Sequence, residues 1–245
     1  MKHRTQLEIL NSAARREPLK IVNADDTATV YVYDYIGGWD GVQSNDFVQA
    51  LNALTAAQIN LRINSPGGSV FDGRAMATAV ANHPSRITAY VDGIAASAAS
   101  WLALAADEVA IADGAFIMIH NANGAAYGDK RVMLEMAGVM EQIDESFVAD
   151  YVGKTGKDAS EIRGWMDAET WFNAEDSVSH GFADRIEKGK KAASNSWNLS
   201  LYNNAPEELK QPPPKQPEPP AEVIDLRAER EHAERTLAML ERIAL

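Results

Sequence analysis

No cysteine occurs anywhere in the chain, which excludes a disulfide scaffold, a thiol nucleophile and a cysteine-based zinc site. Cations are scarce beside anions: 23 Lys and Arg stand against 35 Asp and Glu, a formal net charge of −12. Phosphate backbones are held by clustered cations, so this balance argues against a nucleic-acid surface. It suits a protein that resists non-specific association. A long apolar run is missing as well. The most apolar stretch, residues 94–112, is broken by Ser97, Ser100, Asp107 and Glu108. A membrane span there would bury charge without partners, so a core helix followed by a strand is expected instead. The first ten residues carry positive charge with no apolar segment behind them, and no signal peptide is expected.

What is present suits one sizeable domain with appendages: 245 residues, of which 46% are apolar. Residues 1–27 are polar and weakly patterned, which reads as a flexible N-terminal arm. Residues 29–36 alternate and are rich in Val and Tyr, the mark of a strand. Phe47, Val48, Leu51 and Leu54 recur at helical spacing. A strand over 59–63 runs into the turn Asn64-Ser65-Pro66-Gly67-Gly68. A helix over 70–82 follows, stopped by His83-Pro84. Then come a strand over 87–91, an Ala-rich helix over 93–106, and short strands over 109–111 and 116–119. Strand and helix alternating at this interval predict an α/β fold with right-handed crossovers and a largely parallel sheet. A long helix is expected over 129–154 and a shorter one over 159–166, with the domain ending near residue 187. Seven of the ten prolines fall between Pro206 and Pro220. Residues 188–221 therefore read as a stiff, solvated linker, and residues 222–245 as a C-terminal helix with an apolar seam through Leu226, Ala233, Leu237 and Leu240.

Three places could carry chemistry. Ser97 lies in the run Gly93-Ile94-Ala95-Ala96-Ser97-Ala98-Ala99-Ser100, small residues opening a helix just after a strand. Small neighbours let a substrate backbone approach, and a helix N-terminus supplies a positive field. His120 ends a strand beside a loop, a common place for a general base. Gly67 and Gly68 follow Pro66 and free two backbone N–H groups in a turn. Each has a plainer reading: close helix packing, a satisfied histidine, and a turn signal. Ser100 and Ser65 read as packing and turn residues, His83 and His180 as helix-end residues, and His3 and His232 as tail residues. No cluster has metal-ligand spacing, so neither metal nor cofactor is expected.

Taken together, Ile63-Asn64-Ser65-Pro66-Gly67-Gly68, Gly93-Ile94-Ala95-Ala96-Ser97 and Met118-Ile119-His120 resemble the ordered signature blocks of the Clp protease family. The likeness extends over residues 28–187. It implies the Clp protease/crotonase-like ββα-repeat (spiral) fold with a protruding long helix. It further implies a serine endopeptidase with Ser97 as nucleophile, His120 as base, and the N–H groups of Gly68 and Ala98 as the oxyanion hole. The family's aspartate has its counterpart in Glu169, just before Thr170-Trp171-Phe172-Asn173-Ala174, with Asp167 as the competing choice. Outside the shared blocks the chain looks similar to the Clp-related head maturation proteases of tailed phages and prophages. That implies capsid or scaffold proteins as substrates, a homo-oligomeric ring or double ring, and a place in the bacterial host cytoplasm or within the prohead. The alternatives are a degradative subunit fed by an AAA+ unfoldase and a non-catalytic assembly factor on the same fold. Crotonase-like enzymes share the architecture but not a Ser/His pair. The terminal helix is expected to recruit the chain to an assembling particle.

Overall fold

Every second side chain along Thr27–Val32 is buried, the period-2 pattern that makes a half-buried strand. The computed structural model describes residues 19–210 apart from 25, 39–40, 192–196 and 201. β1 (Lys20–Ala24) lies antiparallel to β2 (Thr27–Val32). The chain continues through α1 (Ser44–Asn52), β3 (Gln58–Ser65), α2 (Val70–Ala81), β4 (Arg86–Ala96), α3 (Ala98–Leu104), β5 (Glu108–Asp113) and β6 (Phe116–Ile119). Then follow α4 (Lys130–Thr155), α5 (Ala159–Asp167), β7 (Thr170–Phe172), α6 (Ala174–Ser179), β8 (Arg185–Lys191) and α7 (Glu207–Lys210).

β2, β3, β4, β5 and β8 pair parallel in that order. β4 is the hinge of the topology. Its residues Thr88–Val91 pair with Glu108–Ile111 of β5, whereas Ile94–Ala96 pair with Phe116–Met118 of β6. β6 in turn pairs antiparallel with β7. The main core gathers Phe47 and Leu51 of α1, Met76 of α2, Leu102 of α3 and Tyr151 of α4 against Leu61 and Val91 of the sheet. Each such large side chain, taken fully out of water, contributes about 1.5–3 kcal/mol.

Helix boundaries follow local chemistry. Ser69 accepts the Asp72 N–H at the start of α2, Asp129 accepts those of Arg131 and Val132 at α4, and Asn173 accepts that of Asp176 at α6. Within α4 only Phe147, Val148 and Tyr151 are buried. Its first half protrudes and exposes Met133, Leu134 and Val139, the second of these by 62%. The fold is the expected α/β architecture with a protruding long helix.

Three expectations about local structure are corrected. Residues 93–96 are not the start of a helix but the end of β4, because their backbone groups are taken by β6 and by Ser65 of β3. The N-terminal arm does not reach residue 27: Lys20–Ala24 is a strand, held by its pairing to β2. Residues 1–18 lie outside the described residues. The linker reading of 188–221 fails for its first part. β8 runs to Lys191, and Trp197, Leu199, Tyr202, Ala205 and Leu209 are buried with Tyr35, Ile94, Ala96 and Met118 in a second core. Most of the proline run and the helix expected over 222–245 lie outside the described residues.

Candidate active site

The backbone at the end of β4 places Ser97. The residue has φ 55° and ψ −125°, a sharp elbow between Ala96 of β4 and Ala98 of α3. A non-glycine residue there costs on the order of 1–3 kcal/mol and persists only where the surroundings hold it. Here the Ser97 N–H donates to the Met118 carbonyl at 2.9 Å, extending the β4–β6 pairing through the elbow. The turn after β3 approaches the elbow too closely for a side chain. A Cβ at Gly67 would lie 2.5 Å from the Ala96 carbonyl oxygen and 2.9 Å from the Ser97 Cβ.

His120 follows the last residue of β6, and its Nε2 stands 2.8 Å from Ser97 Oγ. Two residues remote in sequence thus meet because β4 and β6 are neighbours. A neutral imidazole accepts the Ser97 hydroxyl proton through Nε2 when the other proton is on Nδ1. Burial pushes the His120 pKa below the ordinary histidine value, and the negative charge of Glu169 opposes this in part. The histidine is therefore neutral at pH 7, the form a base needs.

The turn after β3 frames the opposite side. Ile36 N–H donates to the Gly67 carbonyl and Ser69 N–H to the Ile36 carbonyl, at 2.9 and 2.8 Å. Gly68 between them has φ 148°, and a Cβ there would lie 2.2 Å from the Ile36 carbonyl oxygen, so only glycine fits. This pairing leaves the Gly68 N–H directed away from Ile36. Ala98, the first residue of α3, has no preceding helical turn to take its N–H. Two backbone donors are thus available on the Ser97 side.

The two carboxylates part company. Asp167 is exposed and accepts from Asn121 Nδ2 at 2.7 Å. Glu169 is half-buried at φ 48°, and its charge acts on His120. Its oxygens accept the N–H groups of Asn203 and Asn204 at 3.1 and 2.8 Å. Among the described residues neither carboxylate is hydrogen-bonded to His120. Ser100 is tied elsewhere: its hydroxyl lies 2.7 Å from the Ser97 carbonyl and 2.9 Å from Tyr151 OH, inside the core. Ser65 Oγ accepts the Gly67 N–H at 3.2 Å within the turn. His83 is tied to the Leu51 carbonyl, and His180 ends α6 with its ring against Trp165.

Sequence reasoning missed one participant. The Tyr202 ring stands edge-on to His120 with centroids 5.6 Å apart, and its hydroxyl donates to the Pro66 carbonyl at 2.8 Å. Burial, and then the Glu169 charge, push the Tyr202 phenol up, so it remains a donor. The signal available was Trp197, Leu199 and Tyr202, apolar residues in a segment otherwise composed like a linker.

A serine at a strand–helix elbow, with an imidazole in contact and the Gly67–Gly68 turn beside it, has the components acyl transfer needs. The sequence profile of the Clp protease family matches residues 28–190. The chain belongs to the Clp protease family. Among curated relatives, an ATP-dependent Clp protease proteolytic subunit of Chlorella vulgaris is 27% identical over 163 residues, 64% of this chain and 81% of that protein. Subunit 1 of Protochlamydia amoebophila is 31% identical over 128 residues, 51% of this chain and 62% of that protein. Among solved structures, a mutant ClpP1 of Listeria monocytogenes superposes with a TM-score of 0.58 at 21% identity, covering 66% of this chain and 92% of that one. That likeness establishes the fold. No helix among the described residues is long and apolar enough to cross a membrane.

Proposed function

We propose that the chain is a serine endopeptidase in which Ser97 attacks the scissile carbonyl. The observation that carries this is the 2.8 Å contact between His120 Nε2 and Ser97 Oγ in a member of the Clp protease family. His120 takes the hydroxyl proton as the Oγ–C bond forms, and the oxyanion is held by the N–H groups of Gly68 and Ala98. The imidazolium then gives its proton to the leaving amine as the C–N bond breaks. Water, activated by the same imidazole, hydrolyses the acyl-serine and returns the enzyme. Glu169 is the carboxylate that stabilises the imidazolium; Asp167, engaged with Asn121, is not. Incubation with a fluorophosphonate and with a fluorogenic peptide tests this. Label on Ser97 and turnover that disappears in Ser97→Ala support it, and turnover surviving in that variant overturns it.

The substrates proposed are capsid or scaffold proteins cut during phage head maturation, on the resemblance of the site blocks and the proline-rich tail. The relatives favour a second reading, since both are named as proteolytic subunits of ATP-dependent proteases. Mass spectrometry of the purified chain mixed with neighbouring structural proteins, with and without an AAA+ unfoldase, separates the two. Defined cleavage without ATP supports maturation. Cleavage of folded substrate only with the unfoldase supports degradation. Assembly into a ring or double ring belongs to the same proposal, supported by the apolar half of α4. Light scattering at micromolar concentration giving a monomer mass would overturn it.

A further inference from the structure

We propose that residues 197–200 and 202–210 form a wall of the active site, with Tyr202 the positioning residue for His120 and the backbone of Asn203 and Asn204 the clamp for the Glu169 carboxylate. This rests on the peptidase reading above and adds to it a segment beyond residue 190, where the family profile stops.

Six contacts carry the inference, and together they reach His120, Pro66, Trp171, Glu169 and Ala168. The Tyr202 ring closes on the imidazole, and its hydroxyl donates to Pro66, the residue before the two glycines. The same ring stands edge-on to Trp171 of β7, 5.6 Å between centroids. Asn203 and Asn204 each donate a backbone N–H to Glu169, one to each oxygen, and Asn204 Nδ2 donates to the Ala168 carbonyl at 2.6 Å. A carboxylate that accepts a backbone N–H on each oxygen, and the Trp171 Nε1–H on Oε1 besides, is held in place. Glu169 has one more methylene than aspartate and stands at a left-handed backbone. Its side chain needs such a clamp to keep its charge beside the imidazole.

The segment is seated by burial rather than by strand pairing. Trp197 packs on Tyr35 with ring centroids 5.1 Å apart, and Leu199 and Leu209 enter the same second core over Ile94, Ala96 and Met118. An inhibitory strap would cover the nucleophile or the oxyanion amides. Among the described residues none of 197–210 bonds to Ser97, Gly68 or Ala98, and the Ser97–His120 contact is formed with the segment docked. The arrangement is that of a completed site, closed from behind.

The test uses the full chain. Tyr202→Ala is expected to lower kcat about 10²-fold, the scale on which a misplaced catalytic group loses rate, with KM nearly unchanged. Tyr202→Phe, which keeps the ring and loses the bond to Pro66, is expected to lose less than tenfold and guards against a folding defect in the alanine variant. Asn204→Pro, which removes the clamping N–H, is expected to lower kcat in the wild type and to add less than about twofold when Glu169 is already Gln. Asn204→Ala, which keeps that N–H and loses only the bond to the Ala168 carbonyl, should lower kcat less than Asn204→Pro does. A second readout does not need turnover: in Ser97→Ala protein, the NMR titration midpoint of His120 should rise in Tyr202→Ala as water reaches the ring. An unchanged kcat and midpoint in Tyr202→Ala overturn the proposal, and so does a rise in kcat, which would make the segment inhibitory. Loss of all turnover in wild type with the midpoint still shifting would instead overturn the peptidase reading alone.

Discussion

The two cores around β4 are filled in opposite ways. On one side regular helices supply the contacts: Phe47 comes from α1, Met76 from α2, Leu102 from α3 and Tyr151 from α4. On the other, an irregular segment drops Trp197, Leu199, Tyr202 and Leu209 one at a time onto Ile94, Ala96 and Met118. The helical side carries the stability of the domain. The segment side carries the placement of the residues around His120. The elbow at Ser97 lies where the two meet, since Ala96 faces the second core and Ala98 the first.

The largest effect that could break this division is at the elbow itself. Ser97→Ala is expected to lower kcat about 10⁶-fold, as removal of a triad nucleophile does, with the melting temperature little changed. Loss of activity in Ser100→Ala with Ser97→Ala active would move the nucleophile into the helical core. Next comes the acid. Losing the orienting carboxylate costs about 10⁴-fold in the best-measured triad. Glu169→Gln is expected to approach that, whereas Asp167→Asn is expected to be mild. The reverse ranking in steady-state assays would transfer the role to Asp167. Two mild effects would leave a Ser/His dyad and deprive the clamp of its purpose.

Stability measurements sharpen the comparison. Leu102→Ala on the helical side should cost about 2–5 kcal/mol in denaturant unfolding. Leu199→Ala should cost less, because the segment can undock while the sheet stays folded, which caps its share of the global free energy. It should nevertheless lower kcat. Equal stability losses with no change in kcat would mean the two sides differ only in shape.

A pH profile gives a smaller effect with a definite sign. Activity requires neutral His120, so kcat/KM rises with pH through its pKa. Burial sets that pKa low, and Glu169 partly raises it. Removing the charge in Glu169→Gln should therefore move the acid limb to lower pH. A move to higher pH would mean that the carboxylate does not act on the imidazole. The smallest effect is expected beyond the second core. Ending the chain after Lys210 keeps Leu209 and should leave hydrolysis of a short peptide within about twofold. A large loss there would place part of the site in the proline-rich tail.

Much of this was legible in the chain because it repeats. Helical spacing marked α1, and His83-Pro84 marked the end of α2. The run of small residues from Gly93 marked Ser97, but the helix was expected to begin at Gly93 and begins at Ala98. The three apolar residues Ile94–Ala96 look alike in a strand and in a buried helix. The pairing with β6 decides between them, and that partner lies about twenty residues on.

The sequence by itself determined the parallel α/β order and the glycines that only a tight turn can use, because each rests on local pattern; it marked Ser97 and His120 as candidates through the resemblance of their blocks. Only the tertiary structure decided that His120 touches Ser97, that Asp167 turns to Asn121 while Glu169 turns to Asn203 and Asn204, and that the Tyr202 ring stands against His120. The reason is physical. These contacts join residues brought together by sheet pairing and by burial of single side chains, and neither leaves a period in the chain that makes it.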